Sequence, residues 1–252
     1  MKKKSTSLSE TLIELMNQLA LKTAAGELEN SMKLAQINNW SHGQWLEHLL
    51  NLELEAKDQR CTALRLKQAK LPEIQTIDQF QFEFHASRNK QKAGILQLMD
   101  LDFVAEKKDI ILIGNPGVGK SFLANCIGYQ ATQKKIKTLF VSVMEMINRL
   151  IAAQADHSLL KQLKTYQDPD LLLIDELGFL PLGEEGSNLF FQVISARHKQ
   201  KSTLITTNLP FSNWPQILHS NTVASAIADR LIFNSVILVL QGESFRRKSA
   251  AS

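Results

Sequence analysis

Residues 114–121, Gly-Asn-Pro-Gly-Val-Gly-Lys-Ser, and the adjacent acids Asp175 and Glu176 have the types and spacing that chemistry on a nucleoside triphosphate needs. Gly114, Gly117 and Gly119 carry no side chain to hold a phosphate off the backbone, and they tolerate positive φ. Asn115, Pro116 and Val118 complete a loop whose N–H groups can ring an anion at the positive end of the following helix. Lys120 offers a mobile charge to the β- and γ-phosphates, Ser121 offers a hydroxyl to Mg2+, and Phe122 continues into the helix. Asp175 is suited to hold the hydration shell of the same ion, and Glu176 to polarise a water for in-line attack on the γ-phosphate. Together these residues describe binding and hydrolysis of ATP with Mg2+.

Such residues work only when particular elements carry them. The apolar run Ile110-Ile111-Leu112-Ile113 precedes the loop and Phe122-Leu123-Ala124 follows it, which is the strand, loop and helix order the pattern requires. β-rich runs at 109–113, 138–143, 171–174, 203–207 and 236–240 alternate with helical patterns. Five strands so connected make an α/β fold with a parallel sheet covered on both faces, and the site then lies at the carboxyl ends of the strands. Asp175 and Glu176 leave the third strand at that end. The fourth ends Thr206-Thr207-Asn208; there Asn208 either orients water and senses the γ-phosphate or makes a turn with Pro210. Arg230, in the helical stretch before the last strand, either pairs with a nearby acid such as Asp229 or reaches a neighbouring subunit's γ-phosphate.

The chain of 252 residues has 44% hydrophobic and 21% charged residues, ordinary for a globular protein. No apolar run is long enough to span a bilayer, and no apolar core follows Lys2, Lys3 and Lys4, so no membrane partner and a cytoplasmic location are expected. Cys61 and Cys126 stand apart from each other and from the scattered His residues, which argues against a thiolate or imidazole metal site. Of the net charge of +4, residues 1–88 contribute none, so the excess sits with the nucleotide-binding part. That balance permits nucleic-acid binding without requiring it.

Apolar spacing predicts helices over residues 8–23, 28–37 and, opened by Ser41 as a cap, from 41 to about 66. Residues 1–72 therefore read as a small helical N-terminal module, 73–90 as a linker and 91–252 as the ATPase domain. The long helix ends in Lys57, Arg60, Arg65, Lys67 and Lys70 against Asp58, either a solvated turn that suits the helix dipole or a phosphate contact. Alternating Phe80, Phe82 and Phe84 fit an extended, packed segment at least as well as a base-stacking one.

The segments Asp175-Glu176-Leu177-Gly178-Phe179-Leu180-Pro181-Leu182, Thr207-Asn208-Leu209-Pro210-Phe211-Ser212-Asn213-Trp214, Ala228-Asp229-Arg230-Leu231 and Gly242-Glu243-Ser244-Phe245-Arg246, taken with the phosphate loop, resemble the IstB-like ATP-binding proteins. These are AAA+ helper ATPases of insertion sequences, relatives of the DnaC-type helicase loaders. The resemblance covers about residues 8–248. It implies an AAA+ sheet in strand order 5-1-4-3-2, Asn208 as sensor, Arg230 as a finger acting in trans, and Arg246 as a further nucleotide-side arginine. It also implies ATP-dependent self-association on duplex DNA and a transposase as partner. Two departures stand out. Ser121 replaces the commoner Thr while keeping the hydroxyl, and Ala226 stands where loaders often carry a second arginine, which favours the insertion-sequence branch over a helicase loader. The stretch 144–169 exceeds one crossover helix; in this branch an additional helix there faces nucleic acid, with Arg149, Lys161 and Lys164 as phosphate contacts. Leu159, Leu160 and Leu163 argue for a packed face on it.

Overall fold

The structure, a computed structural model, describes residues 8–245, so Arg246 and the lysines at 2–4 lie outside it. The chain divides into two compact units, Met1–Leu64 and Arg65–Ser252.

The first unit holds α1 (Leu8–Gln18), α2 (Lys22–Ile37) and most of α3 (His42–Ala69). The helix expected over 8–23 stops at Gln18, because Ala20 turns left-handed (φ 60°) and Leu21 N–H closes on the Met16 carbonyl at 2.8 Å. The chain then re-enters helix at Lys22, earlier than the apolar pattern suggested. No local side chain caps α2; Glu53 of α3 does so through space, accepting the N–H groups of Thr23 (2.6 Å) and Ala24 (3.0 Å). The Ala24 N–H, helped by Arg60 at 2.6 Å, holds the Glu53 carboxyl below its ordinary range. Ser41 caps α3 as expected: its hydroxyl accepts the Gln44 N–H while Gln44 Oε1 accepts the Ser41 N–H. Ala24, Leu28 and Leu49 form the unit's core with Leu12, Ile13, Met16 and Trp45, whereas Leu15 and Leu19, which share the same sequence pattern, are exposed.

The second unit is built on five parallel strands, β1 (Asp109–Gly114), β2 (Thr138–Ser142), β3 (Leu171–Leu177), β4 (Ser202–Thr207) and β5 (Ser235–Leu240). Their order across the sheet is β2-β3-β4-β1-β5, the expected 5-1-4-3-2 read from the other edge. Period-two alternation splits each central strand between two cores. Ile110, Leu112, Leu173 and Leu204 face the layer of α7 (Lys120–Gln133), while Ile111, Leu172, Ile174 and Ile205 face α10 (Gly183–Arg197) and α11 (Asn221–Ile232). Cys126 is buried in α7, and burial pushes its thiol up to about 12.

Two helices, α8 (Val143–Ala155) and α9 (Leu159–Gln167), occupy the long crossover between β2 and β3, as the length of 144–169 led one to expect. Leu163 is buried but Leu160 is 79% exposed, so the packed face is narrower than its three leucines suggested. Lys161 and Lys164 are exposed, and Arg149 pairs with Glu145 at 2.5 Å.

Residues 73–90 are not extended. They fold into two 3-10 turns, Ile77–Gln79 and Phe82–Phe84, and the short helix α4 (Ala86–Lys90), before α5 (Lys92–Leu98) and α6 (Asp102–Ala105) lead to β1. Phe80 between the turns is buried against Phe82 and Phe122, which removes the strict alternation its neighbours imply. Among the described residues no helix is long and apolar enough to cross a membrane, and no group of three or more His, Cys, Asp or Glu is gathered for a metal.

Candidate nucleotide site

β1 ends at Gly114 and α7 begins at Lys120, so the loop between them lies at the carboxyl edge of the sheet with the N-terminus of a 14-residue helix behind it. Gly119 caps that helix with φ 101°, and a Cβ there would stand 2.8 Å from the Phe80 ring. Only glycine satisfies both constraints. Lys120 is buried, its ammonium donating to the carbonyls of Gly114 (2.7 Å) and Asn115 (3.0 Å), poised over the loop a triphosphate would fill.

Across the sheet, Ser121 Oγ donates to Asp175 Oδ1 at 2.9 Å, and the Thr206 hydroxyl donates to the same oxygen. Thr206 also accepts the Glu176 N–H at 3.0 Å. The register between β3 and β4 slips between Ile174 and Leu177, and Glu176 takes φ 67°, a left-handed conformation costly for a residue with a Cβ. The bulge turns the Glu176 side chain outward to the cavity mouth while Asp175 stays buried. The Ser121 hydroxyl and one Asp175 carboxylate are a hard oxygen pair within one ion's reach, the donor chemistry that Mg2+ takes with phosphate oxygens and waters.

These groups line one cavity of about 430 Å3, within the range of small-molecule sites. Its wall includes Gly117, Gly119, Lys120, Ser121, Asp175 and Glu176, together with Glu73, Gln75, Phe80, Arg88, Asn125 and Phe245. Asn208 follows β4, which lies between β1 and β3, the position expected of a residue between the phosphate loop and the Glu176 strand. Its Oδ1 is buried with no hydrogen-bond partner, close under Gly178, and Asn208 is absent from the cavity wall. Arg230 does not reach this cavity either. It donates to the Ala226 carbonyl at 2.8 Å and lies 4.6 Å over the Phe191 ring, partly exposed.

Three further side chains meet the site residues. In the sequence Thr206 is marked only as a neighbour of Asn208. Phe80 belonged to a segment read as a linker. Arg88 carried no motif, yet it is 3% exposed: Nε (3.1 Å) and Nη2 (2.8 Å) both donate to the Val118 carbonyl, and Nη1 donates to the Gln81 carbonyl at 3.1 Å. Its guanidinium lies 4.7 Å over Phe80, 5.2 Å over Phe84 and 5.6 Å over Phe245. Burial lowers its pKa. The available signal was an arginine four residues past Phe84, too common to weigh.

A glycine loop after β1, an acidic pair at the carboxyl end of β3 and the order β2-β3-β4-β1-β5 define a P-loop ATP-binding protein with an AAA+ sheet. The chain belongs to the IstB-like ATP binding protein family, whose model matches residues 14–252. It is 34% identical over 233 residues, 92% of each chain, to the protein described as the ATP-binding protein of insertion sequence IS232 of Bacillus thuringiensis subsp. berliner. A similar match, 33% over 239 residues and covering 95% of this chain and 94% of the other, links it to the corresponding IS5376 protein of Geobacillus stearothermophilus. Among solved structures it resembles the crystal structure of the DnaC helicase loader, with TM-score 0.57 and 26% identity over 66% of this chain and 96% of the other.

Proposed function

We propose that this protein is an ATP-hydrolysing AAA+ protein that assembles on duplex DNA in its ATP-bound state and recruits or activates the transposase of an insertion sequence. The observation carrying hydrolysis is the arrangement of Ser121, Asp175 and Glu176 along one cavity, with Thr206 hydrogen-bonded to both Asp175 and Glu176. A protein that only binds nucleotide has no use for an outward carboxylate held in a strained conformation beside the metal ligands.

In the proposed reaction the loop N–H groups and Lys120 hold the β- and γ-phosphates. Glu176 accepts a proton from a water, whose oxygen bonds to the γ-phosphorus as the bond to the ADP oxygen breaks. Mg2+ held by Ser121 and Asp175 would offset phosphate charge. Asn208 is the proposed γ-phosphate sensor. Arg230, away from its own cavity and partly exposed, is the proposed finger for a neighbouring copy, so assembly and turnover would be coupled. Arg246 is proposed as a nucleotide contact from the tail. DNA contact is proposed for the exposed Lys161 and Lys164 of α9, and the segmentation 1–72, 73–90 and 91–252 remains the proposed functional division.

The test is ATP turnover against protein concentration, with and without duplex DNA and the neighbouring transposase, for the wild type and Glu176→Gln. The expected result is turnover that rises with concentration and DNA, and a Glu176→Gln protein that binds ATP, stays assembled and turns over at least about a hundredfold more slowly. Turnover independent of both concentration and DNA would overturn the assembly reading. The likeness to the DnaC helicase loader supports a second reading, delivery of a replicative helicase; co-purification of a helicase instead of a transposase would select it.

A further inference from the structure

The chain leaves β5 at Leu240, which pairs with Gly114, and residues 241–245 then turn back across the phosphate loop. Phe245 N–H donates to the Gly117 carbonyl at 3.0 Å, and Ser244 packs so closely that a Cβ on Gly117 would stand 2.1 Å from its Oγ and 3.0 Å from its Cα. Gln241, Gly242 and Glu243 are exposed, and residues 84–88 hold them from one side. Ser87 Oγ donates to the Gln241 carbonyl and accepts the Gln241 N–H at 3.1 Å. His85 Nε2 lies 2.7 Å from the Glu243 carbonyl, and since a carbonyl only accepts, Nε2 carries the proton and donates. The Phe84 ring meets the Phe245 ring edge-on, with centroids 4.7 Å apart.

The same segment also reaches the loop directly, because Arg88 puts two donors on the Val118 carbonyl. Two consecutive loop carbonyls, Gly117 and Val118, are thus both engaged by groups from outside the loop. In a trans peptide the N–H points away from the C=O, so these donors hold the Val118 and Gly119 N–H groups to the opposite side. Successive N–H groups turned to one side make the concavity that takes an anion. Gly117 (φ 83°) and Gly119 (φ 101°) flank Val118, and peptides beside glycine reorient at little cost. Contacts from outside are what keep such a concavity formed.

We infer that residues 241–245 are a strap that presets the phosphate loop, and that His85 and Ser87, both absent from the cavity wall, are positioning residues that set triphosphate affinity by anchoring the strap. An anchored strap leaves less conformational freedom for the loop to lose when phosphate arrives. The strap's role rests on the cavity being the nucleotide site, and it concerns what keeps the phosphate end of that site in shape.

The experiment measures dissociation constants of the full chain for ATP, ADP and inorganic tripolyphosphate, by competition against a fluorescent triphosphate. Each protein is read well below its own unfolding midpoint, so a general loss of stability does not imitate the result. Ser87→Ala is expected to weaken all three ligands about threefold; adding His85→Phe, which keeps a ring against Phe84, should bring the loss to about tenfold. Ser87→Thr keeps the hydroxyl and should recover most of the loss seen with alanine. Tripolyphosphate has no base, so one common factor for the three ligands puts the effect on the phosphate loop. The strap is overturned, and the nucleotide site left standing, by a double variant that binds ATP as the wild type does, by one that loses ATP but keeps tripolyphosphate, or by a Ser87→Thr protein no better than Ser87→Ala. A wild type that binds none of the three overturns both.

Discussion

Thr206 on β4 donates its hydroxyl hydrogen to the Asp175 carboxylate on β3, and the same oxygen accepts the backbone N–H of Glu176. One side chain thus orients both the proposed metal ligand and the proposed base. Thr206→Val keeps the shape and removes both bonds, leaving the part-buried Glu176 N–H without its acceptor. The expected outcome is a fall in turnover of about tenfold or more with ATP affinity within about threefold of wild type, checked by steady-state kinetics and binding titration.

Gly178 follows the same strand with φ 110°, and a Cβ there would stand 2.5 Å from Asn208 Oδ1. Gly178→Ala is therefore expected to strain the turn and displace Asn208 together. Turnover should fall about tenfold while the Mg-ATP dissociation constant changes little, since Asn208 is not part of the cavity wall. An equal loss of binding and turnover would place the effect on the phosphate loop instead.

Arg88 ties the phosphate loop to the segment before it through two donors on the Val118 carbonyl. Lysine cannot reproduce that fork or the stack on Phe80 and Phe84. Arg88→Leu should weaken ATP binding by about ten- to a hundredfold, and Arg88→Lys should recover only part of it, as measured by calorimetric titration.

Asp109 supplies a pH dependence remote from the cavity. It is buried at the start of β1, accepts the Thr203 N–H at 2.7 Å, and feels the buried Arg197; desolvation nevertheless raises its pKa from 3.8 to about 7. Between these values the folded protein holds a proton that the unfolded chain has released, so the unfolded state gains as pH rises. The contribution is fully present below about pH 4 and lost as pH passes about 7, at most ~4 kcal/mol. Asp109→Asn keeps an acceptor for Thr203 and removes the titration. Its melting temperature should exceed that of wild type by a margin that grows from pH 5 to pH 7.5, read by thermal scans in matched ionic strength.

Much of this architecture was legible in the chain because it is written in local patterns. Ile110 to Ile113 and Leu171 to Ile174 are short apolar runs that suit a strand buried on both faces, and the glycines at 114, 117 and 119 mark a loop that wraps an anion. Ser41 announced the start of α3 because a capping bond spans three residues. The carboxyl-edge position of Asp175, Glu176 and Asn208 followed from strand direction alone.

Tertiary structure decided the remainder. Thr206 meets Asp175 across 31 residues, Arg88 meets Val118 across 30, and Asn125 meets Gln75 across 50. Such pairs leave no mark in spacing, since sheet order and the fold of residues 73–90 bring them together. The left-handed turn at Glu176 is of the same kind: its cost is tolerated because the neighbouring strand supplies a hydroxyl to the displaced N–H. Sequence fixes which groups exist and which element bears each. Desolvation and hydrogen bonding between distant elements decide where they point, because a buried polar group must find its partner wherever the packed chain puts one.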